Sequence, residues 1–168
     1  FDLRLAVGQG RLAAKGKIDL RAQSYTADLQ AQRFPLQTFL PSMGLNDFSG
    51  HIVAKGNGYD LISGKAQLKA DVSINRFAYG GYDLSGLRFK TLLKGHKAFL
   101  EAAINNEIVK GDVKAELMLE RLISIKADAN IEQADLRRLN VTTDTLSAGG
   151  QLHLYATTDR QVNRITAN

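Results

Sequence analysis

The 168-residue sequence contains no cysteine, no tryptophan and only two prolines. Without cysteine the chain can form neither a disulfide nor a thiolate metal site, which is compatible with the cytosol and the periplasm alike. Aromatic residues make up 7% of the chain. No apolar run approaches the ~18–20 residues that a membrane-spanning helix needs. These absences exclude a disulfide-stapled fold and a thiolate-bound metal.

A concentrated patch of charge is also absent from the sequence. The net charge is +5, but the lysines and arginines are scattered among 17 acidic residues. Nucleic-acid binding needs cations gathered on one patch, together with aromatic rings on which bases stack. We therefore expect no nucleic-acid partner. The chain opens on Phe1 without a methionine or a signal sequence, and we interpret it as an excised segment or a processed product.

What the sequence does contain is alternation of apolar and polar residues, which is clearest from 111 to 131. A period of two over this length predicts β-strands, because successive side chains leave opposite faces of a pleated chain. Folding the stretch about Arg121 sets Leu117 opposite Ile125, whereas a slip of one residue would set apolar against polar throughout. We therefore predict a long antiparallel hairpin with one apolar face.

The run that precedes the Gly80-Gly81 pair alternates in the same way. Two glycines favour a tight hairpin because they adopt the positive φ angles of a type I′ turn. The predicted hairpin sets Val72 opposite Phe89. A further turn around Gly95-His96 then sets Phe89 opposite Ala102. We predict a mainly β protein, a curved antiparallel meander sheet that forms a U-shaped groove, with two short helices.

Charged residues select the register of neighbouring strands in this prediction. The meander places Lys90 between Asp71 and Glu101 on the solvent face. Near the N-terminus one register sets Lys17 opposite Asp28, and a shift of two residues would set two aspartates against each other. Like charges directly opposite each other are destabilising, so the first register is favoured.

The two predicted helices are short and apolar. Pro35 opens the segment PLQTFLP, which Pro41 closes, and the second helix is predicted from Gln133 to Leu139. We expect the leucines of both helices, together with Phe39, to pack on the apolar face of the sheet as caps.

The chain also contains an internal repeat. A shift of 100 residues superposes Ala27-Asp28 on Ala127-Asp128 and Gly50 on Gly150. Self-similarity at long period indicates an array in which each unit buries its face against its neighbours. We predict a single β-groove segment over 1–168 with repeat units around 11–64 and 111–168.

No motif of the sequence points to catalysis. His51, His96 and His153 are far apart and have no partner at metal-ligand spacing, so we interpret them as surface or turn residues. The stretch 58–65 resembles a phosphate loop but has five residues between its glycines instead of four. We expect a protein that is not an enzyme and that needs no cofactor or metal.

Three stretches, 27–56, 70–89 and 127–154, resemble repeat units of the TamB section of the AsmA-like proteins of Gram-negative bacteria. The resemblance lies in the order of predicted elements: a strand, a short helix with paired Leu or Phe, then Gly and another strand. The resemblance implies a periplasmic segment of an inner-membrane-anchored protein, whose greasy groove moves phospholipid towards the outer membrane. It also implies a partner barrel of the Omp85 class, bound by the full-length protein, and a role in outer-membrane biogenesis.

Alanines occupy many positions of the predicted apolar face. Two packed sheets need ~10 Å of interdigitated side chain, so this face would leave an opposing sheet underfilled, and an acyl chain would fill the space. Alternatively, the alanines lie where the short helices pack closely. A function of a different class is also open: the protein would be a scaffold whose exposed sheet edges pair with strands of client β-barrels. Exposed edges or an exposed apolar face would also favour self-association. The residues expected to line a lipid groove are Ile18, Leu20, Leu29, Leu68, Val72, Ile74, Leu87, Phe89, Leu100, Ile104, Val113, Leu117, Leu119, Ile123 and Ile125.

Overall fold

A computed structural model describes residues 1–60, 64–79, 82–120, 123–159 and 162–167. Strands dominate these residues. They are β1 (Asp2–Val7), β2 (Gly10–Asp19), β3 (Ser24–Pro35), β4 (Asp47–Asn57), β5 (Gln67–Arg76), β6 (Ala78–Tyr79), β7 (Tyr82–Asp83), β8 (Arg88–Lys94), β9 (Lys97–Asn105), β10 (Val109–Leu119), β11 (Ile123–Asp135), β12 (Ser147–Asp159) and β13 (Val162–Ala167). The short helix α1 (Leu36–Phe39) and a 3₁₀ turn (Pro41–Met43) lie between β3 and β4.

Eleven of these strands form one open antiparallel sheet, in the order β1-β2-β3-β4-β5-β8-β9-β10-β11-β12-β13. Strands β6 and β7 form a separate two-stranded sheet inserted between β5 and β8. Each strand of the large sheet therefore pairs with its neighbours along the chain, as a meander. The prediction of a mainly β, curved antiparallel meander is confirmed.

The predicted registers of the central strands are also confirmed. Leu117 lies opposite Ile125 in the β10–β11 pair. Val72 lies opposite Phe89, which in turn lies opposite Ala102. The two predicted tips, Arg121 and Gly80-Gly81, lie outside the described residues.

Cross-strand charges follow the prediction in the centre of the sheet. Lys90 lies between Asp71 and Glu101 on adjacent strands, and its Nζ lies 3.8 Å from Asp71 Oδ2. Both partners of that ion pair are exposed, so it contributes only ~0–1 kcal/mol to stability.

The predicted register of β2 against β3 is wrong. Lys15, and not Lys17, lies opposite Asp28. The reason is the turn at residues 20–23, where Asp19 Oδ1 accepts hydrogen bonds from the backbone N–H groups of Arg21 and Ala22, both at 2.9 Å. This Asx-type turn begins earlier than the expected one, which shifts the pairing by two residues and still avoids an aspartate pair.

Of the two predicted helices, the first is confirmed as α1, and the second is wrong. Residues 133–135 belong to β11, and residues 136–140 form a turn. Asp135 ends the strand by pairing with Ser147, and its Oδ1 accepts a hydrogen bond from the Arg138 N–H at 3.0 Å. A segment of this length cannot offset the cost of helix nucleation against such strand pairing.

Three long connections lie at the same end of the sheet, because alternate turns of a meander fall at one end. Residues 36–46, 77–79, 82–87 and 136–146 lie at this end, together with the tight turn 106–108. They contact one another: Leu45 bridges to Tyr79, and Asn106 Nδ2 donates to the backbone oxygens of Asp83 and Ser85. We call this the capped end, and the end with turns 20–23 and 95–96 the open end.

Little of the sheet is covered. Among the described residues, the buried apolar side chains are Phe34, Ala66, Val72, Leu93 and Ala134. The accessible surface is 11981 Å². A compact protein of 18.4 kDa exposes about 8,200 Å². The excess surface is that of a sheet with no second layer over most of its area.

Candidate functional site

One face of the large sheet is apolar from β2 to β12. Alternation within each strand places its apolar residues on one side, and the antiparallel registers align them into ladders that cross the strands. One such ladder runs Leu29, Ile52, Val72, Phe89, Ala102, Val113, Ala129, Leu152. We call this side of the sheet the apolar face and the opposite side the polar face.

Nearly all of the predicted groove residues lie on the apolar face. Leu87 precedes β8, and its carbonyl accepts a hydrogen bond from the Ile74 N–H at 2.8 Å, which holds it beside the strands. Leu20 differs: it lies in the turn after β2 and is 78% exposed, beyond the last paired residue of the hairpin. The predicted residues on the apolar face are Ile18, Leu29, Leu68, Val72, Ile74, Leu87, Phe89, Leu100, Ile104, Val113, Leu117, Leu119, Ile123 and Ile125.

Sequence reasoning missed other residues of the same face. Ile52 and Leu93 pair directly with predicted residues, and Leu152 and Leu154 extend the face to β12. The alternation within β4 and β12 is the signal that would have found them. The face therefore spans at least nine strands rather than the central ones alone.

Small side chains form a shallow lane along the middle of the apolar face. The lane is the part of one ladder formed by Gly16, Ala27, Ala54, Ala70 and Thr91, and it ends at Leu100 on β9. Larger side chains such as Val72 and Leu68 stand in the ladders on either side of it. With ~4.8 Å between strands, four intervals give the lane a length of about 19 Å. An alkyl chain lying across the strands would rest between the taller rows.

Aromatic rings close the capped end of the apolar face. Phe34 is buried, and Phe39 of α1 stacks on it with 5.2 Å between ring centroids. Phe48 meets Phe77 edge to face at 5.7 Å. Phe39 is itself 50% exposed, so α1 covers only this end. The expected cap is thus confined to one edge, and the explanation that helices pack over the alanines of the lane is wrong.

Three strand glycines of the apolar face accommodate aromatic rings, and at Gly16 the ring is that of Phe1. A Cβ at Gly56 would lie 2.5 Å from the Tyr25 hydroxyl, and one at Gly50 would lie 2.7 Å from the Phe48 ring. The Tyr25 ring therefore lies over the neighbouring strand β4, and the Phe48 ring lies over its own strand, in each case at a position without a side chain. Tyr25 also stacks with Tyr59 from the loop at the open end, at 6.2 Å.

The polar face carries hydrogen-bonded histidines that the sequence did not reveal. His51 Nε2 lies 2.8 Å from Asp28 Oδ1, and His153 Nδ1 lies 2.6 Å from Asp128 Oδ1. The two aspartates are equivalent in the internal repeat but the histidines are not, because Gln151 is the counterpart of His51. All four side chains of the pairs are largely exposed. No group of three or more metal-ligating side chains occurs among the described residues.

One carboxyl group at the capped end has a shifted pKa. Hydrogen bonds from the side chain and the backbone of Ser85 hold the pKa of Asp83 below its ordinary value of 3.8. The Ser85 N–H donates to Asp83 Oδ1 at 2.9 Å. The carboxylate therefore stabilises the insertion between β5 and β8.

Comparison with protein-family models, with curated proteins and with solved structures finds no match for this chain. No helix in the part of the chain that the structure describes is long and apolar enough to cross a membrane. The function is therefore argued from the geometry of the sheet.

Proposed function

We propose that the apolar face binds the acyl chains of phospholipids and that this chain is a non-catalytic segment of a lipid-conducting groove. The observation that carries the proposal is the largely uncovered apolar face itself, which spans nine strands and is closed by stacked phenylalanine rings at the capped end. Contiguous exposed apolar surface of this extent marks a binding surface in soluble proteins. The alkyl chain of a lipid matches such a surface because it needs no hydrogen-bond partners.

The wider setting is also a proposal. The resemblance of the repeat units to the TamB section of the AsmA-like proteins supports a periplasmic location, within a protein anchored in the inner membrane. In that setting the groove carries phospholipid between the two membranes, and a barrel of the Omp85 class is the partner of the full-length protein. The meander supports this reading because its strands can continue in register from one repeat unit to the next.

Native mass spectrometry of the purified chain tests the proposal directly. We expect adducts with the masses of phospholipids, released by collisional activation. A chain that is folded, and that carries no lipid after purification or after incubation with phospholipid micelles, would contradict the proposal.

A pair of neighbouring substitutions separates binding from folding. Leu117 lies on the apolar face, between Ala98 and Ile125, and is only half-buried. Met118, the next residue, lies on the polar face opposite Ser124. We expect Leu117→Lys to remove the lipid adducts while circular dichroism keeps its strand signal, because a charge in a groove open to water stays hydrated. The matched control Met118→Lys should keep the lipid.

A second candidate function is strand addition. Within the described residues β1 pairs on one side only, with β2, and it contains no proline. An unpaired strand edge can template an extended peptide, as expected of a scaffold for client β-barrel strands. Titration with a barrel-strand peptide tests this candidate, and methylation of alternate backbone nitrogens of the peptide should abolish binding. Equal binding of the methylated peptide would rule out strand addition.

A further inference from the structure

Four arginines converge on one concavity of the polar face, near the capped end of strands β1 to β5. The concavity has a volume of about 1140 Å³, and Arg4, Arg11, Arg33 and Arg76 all line it. Its floor is the ladder of Ala13 and Gln30, with His51 beyond them. We call it the arginine pocket. It lies on the side of the sheet opposite the apolar face.

The charge of this pocket is not balanced locally. No acidic side chain lines it, and none of the four arginines forms an ion pair with an acid among the described residues. Arg33 Nη1 donates one hydrogen bond, to Gln9 Oε1 at 3.2 Å, and leaves its other donors for a ligand. The four arginines are exposed, so solvent screens their mutual repulsion and their guanidinium groups are accessible to an anion.

The backbone conformation of Arg33 is energetically unfavourable for a residue other than glycine. Arg33 has a φ of +47°, in the left-handed region that non-glycine residues seldom adopt. It lies in the bulge of β3 between Ala31 and Phe34, and its N–H donates to Ser49 Oγ at 2.8 Å. The equivalent bulge of β11, 100 residues later, has Gln133 in this place. The cationic side chain is therefore a property of the first repeat unit and is not required by the bulge.

We propose that the arginine pocket binds an anion that carries two or more phosphate groups. Guanidinium groups bind phosphate through paired, charge-assisted hydrogen bonds. Strands β1 and β5 are four intervals apart, so the arginines can span about 19 Å, more than a single phosphate fills. No aromatic ring lines the pocket, so it lacks the stacking platforms of a single-stranded nucleic-acid site. A phosphorylated lipid headgroup or a soluble oligophosphate has the required chemistry.

Isothermal titration with inorganic tripolyphosphate tests the proposal, with orthophosphate as the single-phosphate reference. We expect tripolyphosphate to bind at least about tenfold more tightly than orthophosphate, since it engages several guanidinium groups. Arg33→Gln and Arg76→Gln should each weaken binding about fivefold or more. The control Arg88→Gln, on the polar face but outside the pocket, should change the affinity less than about twofold, because exposed distant charges are screened.

Equal affinity for the two phosphates, or an equal loss in Arg88→Gln and Arg33→Gln, would overturn the proposal in favour of diffuse attraction. Should Arg33→Gln unfold, Arg76→Gln carries the same test. Phosphatidate vesicles that displace tripolyphosphate identify a lipid headgroup as the source, and vesicles that do not displace it identify a soluble anion. Leu117→Lys should leave phosphate binding unchanged, so failure of the acyl-chain proposal and failure of this one are distinguishable.

Discussion

At the scale of single residues, the internal repeat allows a glycine packed under an aromatic ring to be compared with an equivalent glycine that has no ring over it. Gly50 and Gly150 are equivalent positions, on β4 and β12 respectively. A Cβ at Gly50 would lie 2.5 Å from the Ser73 carbonyl and 2.7 Å from the Phe48 ring, whereas a Cβ at Gly150 meets nothing within 4 Å. The same residue type therefore has a packing role in one repeat unit and none in the other.

We expect Gly50→Ala to lower the free energy of unfolding by ~1–3 kcal/mol, because the ring and the neighbouring strand must move apart. Gly150→Ala should raise it by ~0.4–1 kcal/mol, because alanine restricts the unfolded chain without a clash. Urea unfolding of the two variants measures both effects. Equal shifts of the two midpoints would contradict the packing of Phe48 over Gly50.

Asp83 gives a prediction about acid stability. Its pKa is lower in the folded chain than in the unfolded one, so its contribution is complete above its ordinary value of 3.8 and disappears as the pH falls through the folded pKa. Asp83→Ala should therefore be less stable than the wild type by ~0.5–1.5 kcal/mol near neutral pH. We expect this difference to shrink in acid, and urea midpoints measured on both sides of the ordinary value would show it. A difference that stays constant would argue against the hydrogen bonds from Ser85.

Alternation and charge predict the partners of many residues, but not those that depend on local turns. Val72 opposite Phe89 follows from the period of two and a glycine tip. The register of Lys15 with Asp28 depends on the Asx-type turn of Asp19, which alternation does not reveal. The histidine–aspartate pairs form between neighbouring strands, His153 directly opposite Asp128 and His51 diagonally from Asp28, so they become visible only once the register is known.

At the scale of elements, the capped end is a chain of connections held together by hydrogen bonds. Asn106 is central to it: Nδ2 donates to the backbone oxygens of Asp83 and Ser85, and Oδ1 accepts from the N–H groups of Ile108 and Val109. One half-buried side chain thus joins the insertion after β5 to the turn between β9 and β10. This is why the short turn at 106–108 holds its place beside connections of ten or more residues.

We expect Asn106→Ala to lower the free energy of unfolding by ~2–4 kcal/mol, since four hydrogen bonds of ~1 kcal/mol each are lost and some partners regain water. Asn130→Ala is the control, because Asn130 is exposed and donates one bond of 3.4 Å to Asp112. Its replacement should change stability by less than ~0.5 kcal/mol. Similar losses in the two variants would mean that the connections of the capped end do not act as a unit.

Strands were easier to predict than helices in this chain, for a physical reason. A strand of ten residues shows five repeats of its period of two. The helix α1 spans a single turn, and the turn after Asp135 is of similar length, so neither shows the helical period more than once. In so short a segment the apolar pattern of a helix is also that of a turn beside a strand end. Whether this segment forms a helix or a turn depends on the pairing of Asp135 with Ser147 and on the hydrogen bond from the Arg138 N–H to the Asp135 side chain. Neither contact can be read from a single sequence.

At the scale of the whole molecule, the sheet resembles half of a β-sandwich. Its apolar face was predictable, because each strand carries its own alternation, but the absence of a second layer over the described face is a property of the topology. Val72 is among the few buried side chains, so Val72→Asp should unfold the chain rather than merely empty the groove. The half-exposed Leu117 is therefore the better probe of the face.

An uncovered face of this size makes a prediction about association. We expect the chain, once stripped of lipid, to self-associate with increasing concentration, because two apolar faces in contact remove apolar surface from water. Added phospholipid should return it to the monomer by occupying the same face. Leu117→Lys should weaken association and Met118→Lys should not, and sedimentation equilibrium measures both. Association that persists equally in Leu117→Lys and in the presence of phospholipid would place the contact at the strand edges, where β1 offers unpaired backbone groups, and would favour strand addition over the groove.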